Sequence, residues 1–236
     1  MTDRHDLLLA LARAVARQRA GAGPEGLCRA AVALLGADGG SVTCAPAEPA
    51  SATVCATDEV AARLADLEEV VGDGPAVRAF REGRPVTAVL GADTPVPASL
   101  AAFAAAAAGI PGDGRPLVVR AWPVRAARGP VAVLAVHGAA GSPDGAAGPE
   151  GRDGPGGPRT DPGQVLADAL APALLGAPEL PGDGPVQRAV GMVVAQTGRP
   201  PHDAHALLRA RAWAEGVRLA DVAADVLDRR TAFGGR

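Results

Sequence analysis

Apolar residues recur along this chain with two different periods, and the changes of period divide it into segments. Leu7 to Ala12 opens an amphipathic helix over 6–20, ending near Gly21 and Gly23. Leu27, Ala31, Leu34 and Leu35 carry the helical spacing through a second helix, Pro24 to Leu35. Ser41–Cys44 and Thr53–Ala56 are short β-prone stretches on either side of a Pro-rich turn. Val60, Leu64, Leu67 and Val71 restore the helical period over 58–71. Gly72-Asp73-Gly74-Pro75 then halts the chain and offers Pro75 as the first-turn residue of a helix over 75–82. Val86–Leu90 reads as a strand and Ser99–Ala108 as an alanine-rich helix stopped by Gly109 and Pro111. Leu117–Val124 and Val131–His137 are the clearest strands; Arg125 to Pro130 between them predicts an antiparallel hairpin with a loop longer than two residues. Pro123 predicts that the first of these strands is irregular or lies at an edge.

This mixture of helices and strands, with the strongest pair adjacent and antiparallel, predicts an α/β (α+β) sandwich over 1–137 rather than a doubly wound dinucleotide fold. The next segment, 138–161, is a Gly/Pro-rich flexible loop or linker: from Gly138 to Thr160 it holds 8 Gly and 4 Pro, too little apolar surface to offset its ordering entropy. Asp161-Pro162 supplies a cap and a first-turn proline for a helix over 162–176, with Val165, Leu166, Ala169, Leu170 and Leu174 apolar and Pro172 as a potential kink. That helix either closes the front domain or pairs with a second copy. The last segment, 183–236, begins at Asp183, a candidate N-cap, and carries three amphipathic helices. Their stripes are Val186, Val190, Val193 and Val194; Ala204, Leu207, Leu208 and Ala212; and Leu219, Val222, Ala223 and Val226. Gly198 and Gly216 end the first two, and the third runs to about 230. Helices this short need a shared core.

At 236 residues the chain can bury one large core or two modest ones. Much of its 48% hydrophobic content is alanine, so the core falls to Leu, Val and a few large side chains, Phe80, Phe103, Trp122 and Trp213. All 23 basic residues are arginine, with no lysine, tyrosine or asparagine, a bias that makes arginine content alone a weak argument. The net charge of −3 speaks against a protein that coats nucleic acid indiscriminately. Its distribution is uneven: 1–181 carry 15 Arg and 20 acids, whereas 182–236 carry 8 Arg and 6 acids. The tail is therefore mildly basic and the front acidic. Arg13 and Arg17 interrupt the N-terminal apolar run, which rules against a signal peptide, and prolines break the uncharged stretch Thr94 to Gly112, which rules against a span. The expectation is a cytoplasmic protein with no membrane association.

Candidate chemistry is sparse. Cys28, Cys44 and Cys55 form no CxxC pair and read as buried thiols, with a redox or metal role as the alternative. His202 and His205 stand three apart with no third ligand nearby, which is poor zinc spacing. Gly72-Asp-Gly-Pro75 and its repeat Gly182-Asp-Gly-Pro185 lack the Lys-Ser/Thr context of a nucleotide loop and read as turns before helices. No GxSxG elbow occurs and no partner for His137 can be read from sequence. No catalytic residue, metal and cofactor are expected, and the chain reads as a non-enzyme.

The tail carries a recognisable pattern: Ala189-Val-Gly191-Met192, Gly198, Ala204, Leu208-Arg209, Ala212, Leu219, Val222-Ala223 and Val226. It resembles the ANTAR family of RNA-binding antitermination domains over about 183–230. The front resembles the GAF-type domain that precedes this tail in many actinobacterial proteins, through Gly36-Ala-Asp38-Gly39, Ala56-Thr57-Asp58, Leu67 to Pro75, Phe80 with Gly83-Arg84-Pro85-Val86, and the hairpin from Pro116 to His137. Family members often carry Cys after the Gly-Pro; here it is Ala76, which argues against cysteine-based sensing at that point.

The resemblance implies a homodimeric transcription antitermination regulator in signal transduction. It would bind paired RNA hairpins in nascent transcripts, with a small-molecule or protein input to the front domain. The residues available for that role, as candidate RNA-binding residues, are Gln187, Arg188, Gly191, Met192, Gln196, Arg209 and Arg211. Arginines position a phosphate backbone, whereas Gln187 and Gln196 can meet base edges. Each also has a plainer reading: Gly191 as a close approach between helices, Met192 as core filler, Arg209 as a partner of Glu215 or Asp203, Trp213 as a core or dimer-face residue. The alternative function is a non-enzymatic sensor or protein-interaction module whose C-terminal helices only dimerise. It is motivated by the small basic excess and by Asp221, Asp225 and Asp228. A DNA-binding helix-turn-helix is disfavoured, since the third helix offers only Arg229 and Arg230, at its end.

Overall fold

The structure is a computed structural model that describes residues 4–17, 23–46, 48, 51–91, 97–110, 115–139, 161–176 and 184–234. The front domain runs α1 (Arg4–Ala16), α2 (Pro24–Leu34), β1 (Gly39–Cys44), β2 (Ala52–Ala56), α3 (Glu59–Val71), α4 (Pro75–Glu82) and β3 (Val86–Leu90). A short 3-10 turn (Ala98–Leu100), α5 (Ala101–Ala107), β4 (Leu117–Ala126), β5 (Gly129–Ala139) and α6 (Pro162–Leu175) complete it. The tail is α7 (Pro185–Thr197), α8 (Pro201–Glu215) and α9 (Leu219–Leu227).

The strands lie in the order β2-β1-β5-β4-β3, and every neighbouring pair is antiparallel. This is the α+β class expected from the sequence. Side-chain alternation divides the sheet into two buried faces. Val42, Cys44, Trp122, Leu134 and Val136 meet α1, α2 and α6 on one side. On the other, Leu90, Leu117 and Val119 meet Leu64 of α3 and Phe103 of α5, while Ala121 and Val133 meet Ala76 and Ala79 of α4. Alanines on α4 let that helix lie close to the sheet. Ser41, Thr43 and His137, also buried, are polar exceptions that line a cavity beside α3.

The helix after the linker packs back onto the sheet, the first of the two placements open to it. Leu166, Leu170 and Leu174 of α6 are buried with Trp122 and Val124. Asp161 caps α6 by accepting from the Gly163 N–H at 2.9 Å and also accepts from Trp122 Nε1 at 2.7 Å, so one carboxylate fixes the helix start to the sheet.

Several expectations are corrected. The β4–β5 connection is a two-residue turn, Ala127-Arg128, because both strands run further than their apolar alternation; a register shift at Val124/Arg125 accommodates the change. Gly138 and Ala139 belong to β5 rather than to the linker, where they pair with Val118 and Leu117. Of the two alternatives that Pro123 raised, β4 is irregular, its register shifting at Val124/Arg125, and is not an edge strand, since β3 pairs beside it. That pairing ends at Ala121, however, and the Pro123 carbonyl accepts from Gln164 Nε2 at 2.8 Å. Pro123 therefore points its backbone away from β5, and its missing N–H costs no ladder bond. Trp213 is 56% exposed and contributes nothing to the core. The end of the first predicted helix at 18–20, the linker residues 140–160 and the Asp183 cap lie outside the described residues.

Candidate nucleic-acid interface

The three tail helices enclose their own core. Ala189, Val190, Val193, Ala204, Leu208, Ala212, Leu219, Val222, Ala223 and Val226 are buried together, as their periodicity predicts. Gly198 and Gly216 end α7 and α8 in the left-handed conformation.

The predicted site residues are distributed over different surfaces of this bundle. Arg188, Gly191 and Ala195 share the exposed side of α7, and exposed Arg199 follows its C-cap. A Cβ placed on Gly191 would meet nothing within 4 Å, so this glycine is not a helix–helix contact; it leaves bare backbone between two cations. Arg188 and Arg199 make no ion pair among the described residues. Met192 is partly buried against the tail core. Gln196 Oε1 accepts from the Phe233 N–H at 2.9 Å, tying the C-terminal segment to α7. Gln187 reaches the front domain and donates from Nε2 to the Ser51 carbonyl at 2.6 Å.

On α8 the arginines are engaged. Arg211 pairs with Glu215 one turn on. Arg209 pairs with neither Glu215 nor Asp203; its Nε donates to the Val70 carbonyl of α3 at 3.1 Å, and its guanidinium lies over Gly72. Gly72 ends α3 with φ 73°, where a side chain would be strained and would collide with that guanidinium. Burial pulls the Arg209 pKa below its usual value; nearby Arg81 lowers it further and Glu69 opposes.

Other contacts extend the junction. Arg218, just before α9, meets Asp66 at 2.6 Å, and burial raises the Asp66 pKa despite that partner. His205 is buried with Nε2 3.7 Å from Glu69 Oε1, and neither atom has a hydrogen bond. Val70 itself packs on the tail core. Asp66, Glu69 and Val70 lie one turn apart on α3, so a single helix face meets the tail. Sequence reading missed these three, because a helix bearing acids looks the same whether it faces solvent or another domain. Of the remaining tail cations, Arg230 pairs with Asp225 and Asp228 at 2.7 and 2.9 Å, and Arg229 is exposed.

Behind the same α3 face lies the front-domain cavity, lined among others by Ser41, Thr43, Ser51, Glu68, Glu69 and His137. Glu68 accepts from the N–H groups of Ala76 and Val77 at 2.9 and 3.1 Å, capping α4 from a distance. Its complete burial raises its pKa to about 8 against those two bonds. His137 Nε2 meets Asp58 Oδ2 at 3.0 Å, a partner that sequence could not supply, and its Nδ1 has no hydrogen-bond partner. The three cysteines are buried free thiols, as expected, and Cys55 Sγ donates to the Glu25 carbonyl at 4.0 Å. His202 is exposed beside Asp203. Among the described residues no helix is long and apolar enough to cross a membrane.

Comparison with known families gives one match: the ANTAR domain, over residues 182–227. The match covers the three tail helices almost end to end, and ANTAR is an RNA-binding antitermination domain. No curated protein and no solved structure matches the chain.

Proposed function

We propose that this chain is a non-enzymatic, cytoplasmic RNA-binding transcription antitermination regulator. The ANTAR match on a bundle with its own closed core carries this reading. In it, the tail of a homodimer stabilises a paired-hairpin arrangement of a nascent transcript over a competing terminator stem. The exposed side of α7 is the open part of the binding surface. Arg188 and Arg199 take phosphates, and Gly191 lets the backbone approach closely between them. The front domain is the GAF-like sensor and receives the input.

A specific observation favours a second reading. Arg211, Arg218 and Arg230 are tied to carboxylates, as they would be in a bundle that serves only for dimerisation or protein contact. Equilibrium binding of the full chain to tandem-hairpin RNA and to random RNA, at near-physiological salt, separates the two. Preference for hairpins supports the regulator. Equal affinity, or none, leaves the dimerisation module.

A further inference from the structure

The contact between α3 and the tail is chemically one-sided. The tail presents donors, the guanidinium groups of Arg209 and Arg218 and the imidazole of His205. The front domain answers with oxygens: the Val70 carbonyl and the carboxylates of Asp66 and Glu69. Arg81 also donates to the Gly72 carbonyl at 3.3 Å, so two arginines converge on the negative end of the α3 dipole. A row of acceptors that engages guanidinium groups is the pattern an RNA backbone also offers.

We infer that the C-terminal half of α3 occupies, in this conformation, the α8 side of the surface that RNA would take, so that docking of the front domain and full engagement of a hairpin oppose one another. The inference rests on the RNA reading above. It follows because Arg209 has one guanidinium. The edge given to Val70 and the face laid over Gly72 are unavailable to a phosphate. The α7 strip stays open meanwhile, so the docked chain retains a partial, weaker site.

The dock is built to come apart. Arg218 remains 61% exposed within its ion pair, the His205–Glu69 pair is too long for a hydrogen bond, and Val70 is the apolar anchor from the front domain. Two of its residues also border the cavity. Glu69 lines it and faces His205; Ser51 lines it and accepts from Gln187. Whatever moves either residue from the cavity side acts directly on the tail.

The test compares wild type, Asp66→Asn and the double variant Asp66→Arg/Glu69→Gln, all full-length with an unaltered tail. Hydrogen exchange over 64–72 and 203–218 reports docking, and titration with tandem-hairpin RNA reports binding. Both variants should exchange faster in these two segments and normally in 117–139. The double variant should bind hairpins about 10-fold more tightly than wild type. RNA added to wild type should likewise speed exchange over 64–72. Released variants that bind hairpins no more tightly would overturn the inference while leaving RNA binding intact. Variants that stay protected would overturn it by showing that these oxygens do not hold the dock. Release without hairpin binding by any of the proteins would remove the RNA reading and the inference together.

Discussion

Arg209 of the tail donates through Nε to the Val70 carbonyl, five residues before α4 begins, at 3.1 Å. The bond joins two helices from different domains, and it uses the arginine of the Leu-Arg pair that the ANTAR resemblance singles out. Arg209→Ala should therefore have two effects at once. Hydrogen exchange over 64–72 should rise, because a charge-assisted bond worth roughly 1.5–3 kcal/mol is lost at the junction. In the released Asp66→Arg/Glu69→Gln background, where docking no longer competes, hairpin affinity should fall by about 10-fold or more. Arg209→Lys keeps the charge but not the planar fork, and should restore less than half of either loss in binding free energy. Unchanged hairpin affinity on adding Arg209→Ala to that released background would place the RNA elsewhere.

Gly191 separates helix stability from binding. It sits mid-helix with open space where a Cβ would be, so Gly191→Ala should stabilise the tail by about 0.5–1 kcal/mol in denaturant unfolding. Gly191→Glu should fold as well as wild type yet bind hairpins about 10-fold more weakly, since a carboxylate would stand between Arg188 and Arg199. Equal hairpin binding by both variants would remove this face from the interface.

The tail was largely legible in the sequence because three short helices must bury one stripe each, and their glycine terminators stand where the stripes end. What could not be read was which of its polar residues face outward. Arg188 and Arg209 look alike in sequence, yet one is exposed and the other is held by α3. Trp213 shows the converse: large and apolar, it is exposed because Leu208 and Ala212 already occupy the inward positions of α8. In the front domain the β4–β5 turn was misplaced because strand pairing continues through Arg125, Ala126, Gly129 and Pro130, where no apolar alternation signals it. Partners distant in the chain, such as Asp58 with His137, exist only once the sheet has formed.

Glu68 predicts a pH dependence. Its pKa rises from the usual 4.5 to about 8 on burial, so between these values the folded chain keeps a proton that the unfolded chain releases. Its contribution is fully present below pH 4.5 and is lost as pH rises through 8. At roughly 1.4 kcal/mol per pH unit, the loss across that window reaches on the order of a few kcal/mol. Glu68→Gln, which keeps an acceptor for Ala76 and Val77, should flatten this slope in thermal unfolding between pH 5 and 8. A wild-type slope retained in the variant would assign the dependence to another group.

Gly163 tests the front-domain packing. A methyl there would overlap the Trp122 ring, which is fixed by its bond to Asp161. Gly163→Ala should cost about 1–3 kcal/mol despite the better helix propensity of alanine. Asp161→Ala removes the α6 cap and the indole partner together, and should cost about 1–3 kcal/mol as well. Unfolding midpoints within experimental error of wild type would show that α6 does not close the domain.

The location of the RNA surface is open to one comparison at constant charge. Arg188→Glu and Arg128→Glu change net charge identically, one on the exposed side of α7 and the other in the β4–β5 turn. Titrated with the same tandem-hairpin RNA at the same salt, Arg188→Glu should lose about 10-fold or more in affinity, while Arg128→Glu stays within about 2-fold of wild type. Equal losses would mean that the chain attracts RNA only by overall charge, and no loss in Arg188→Glu would contradict an interface on α7.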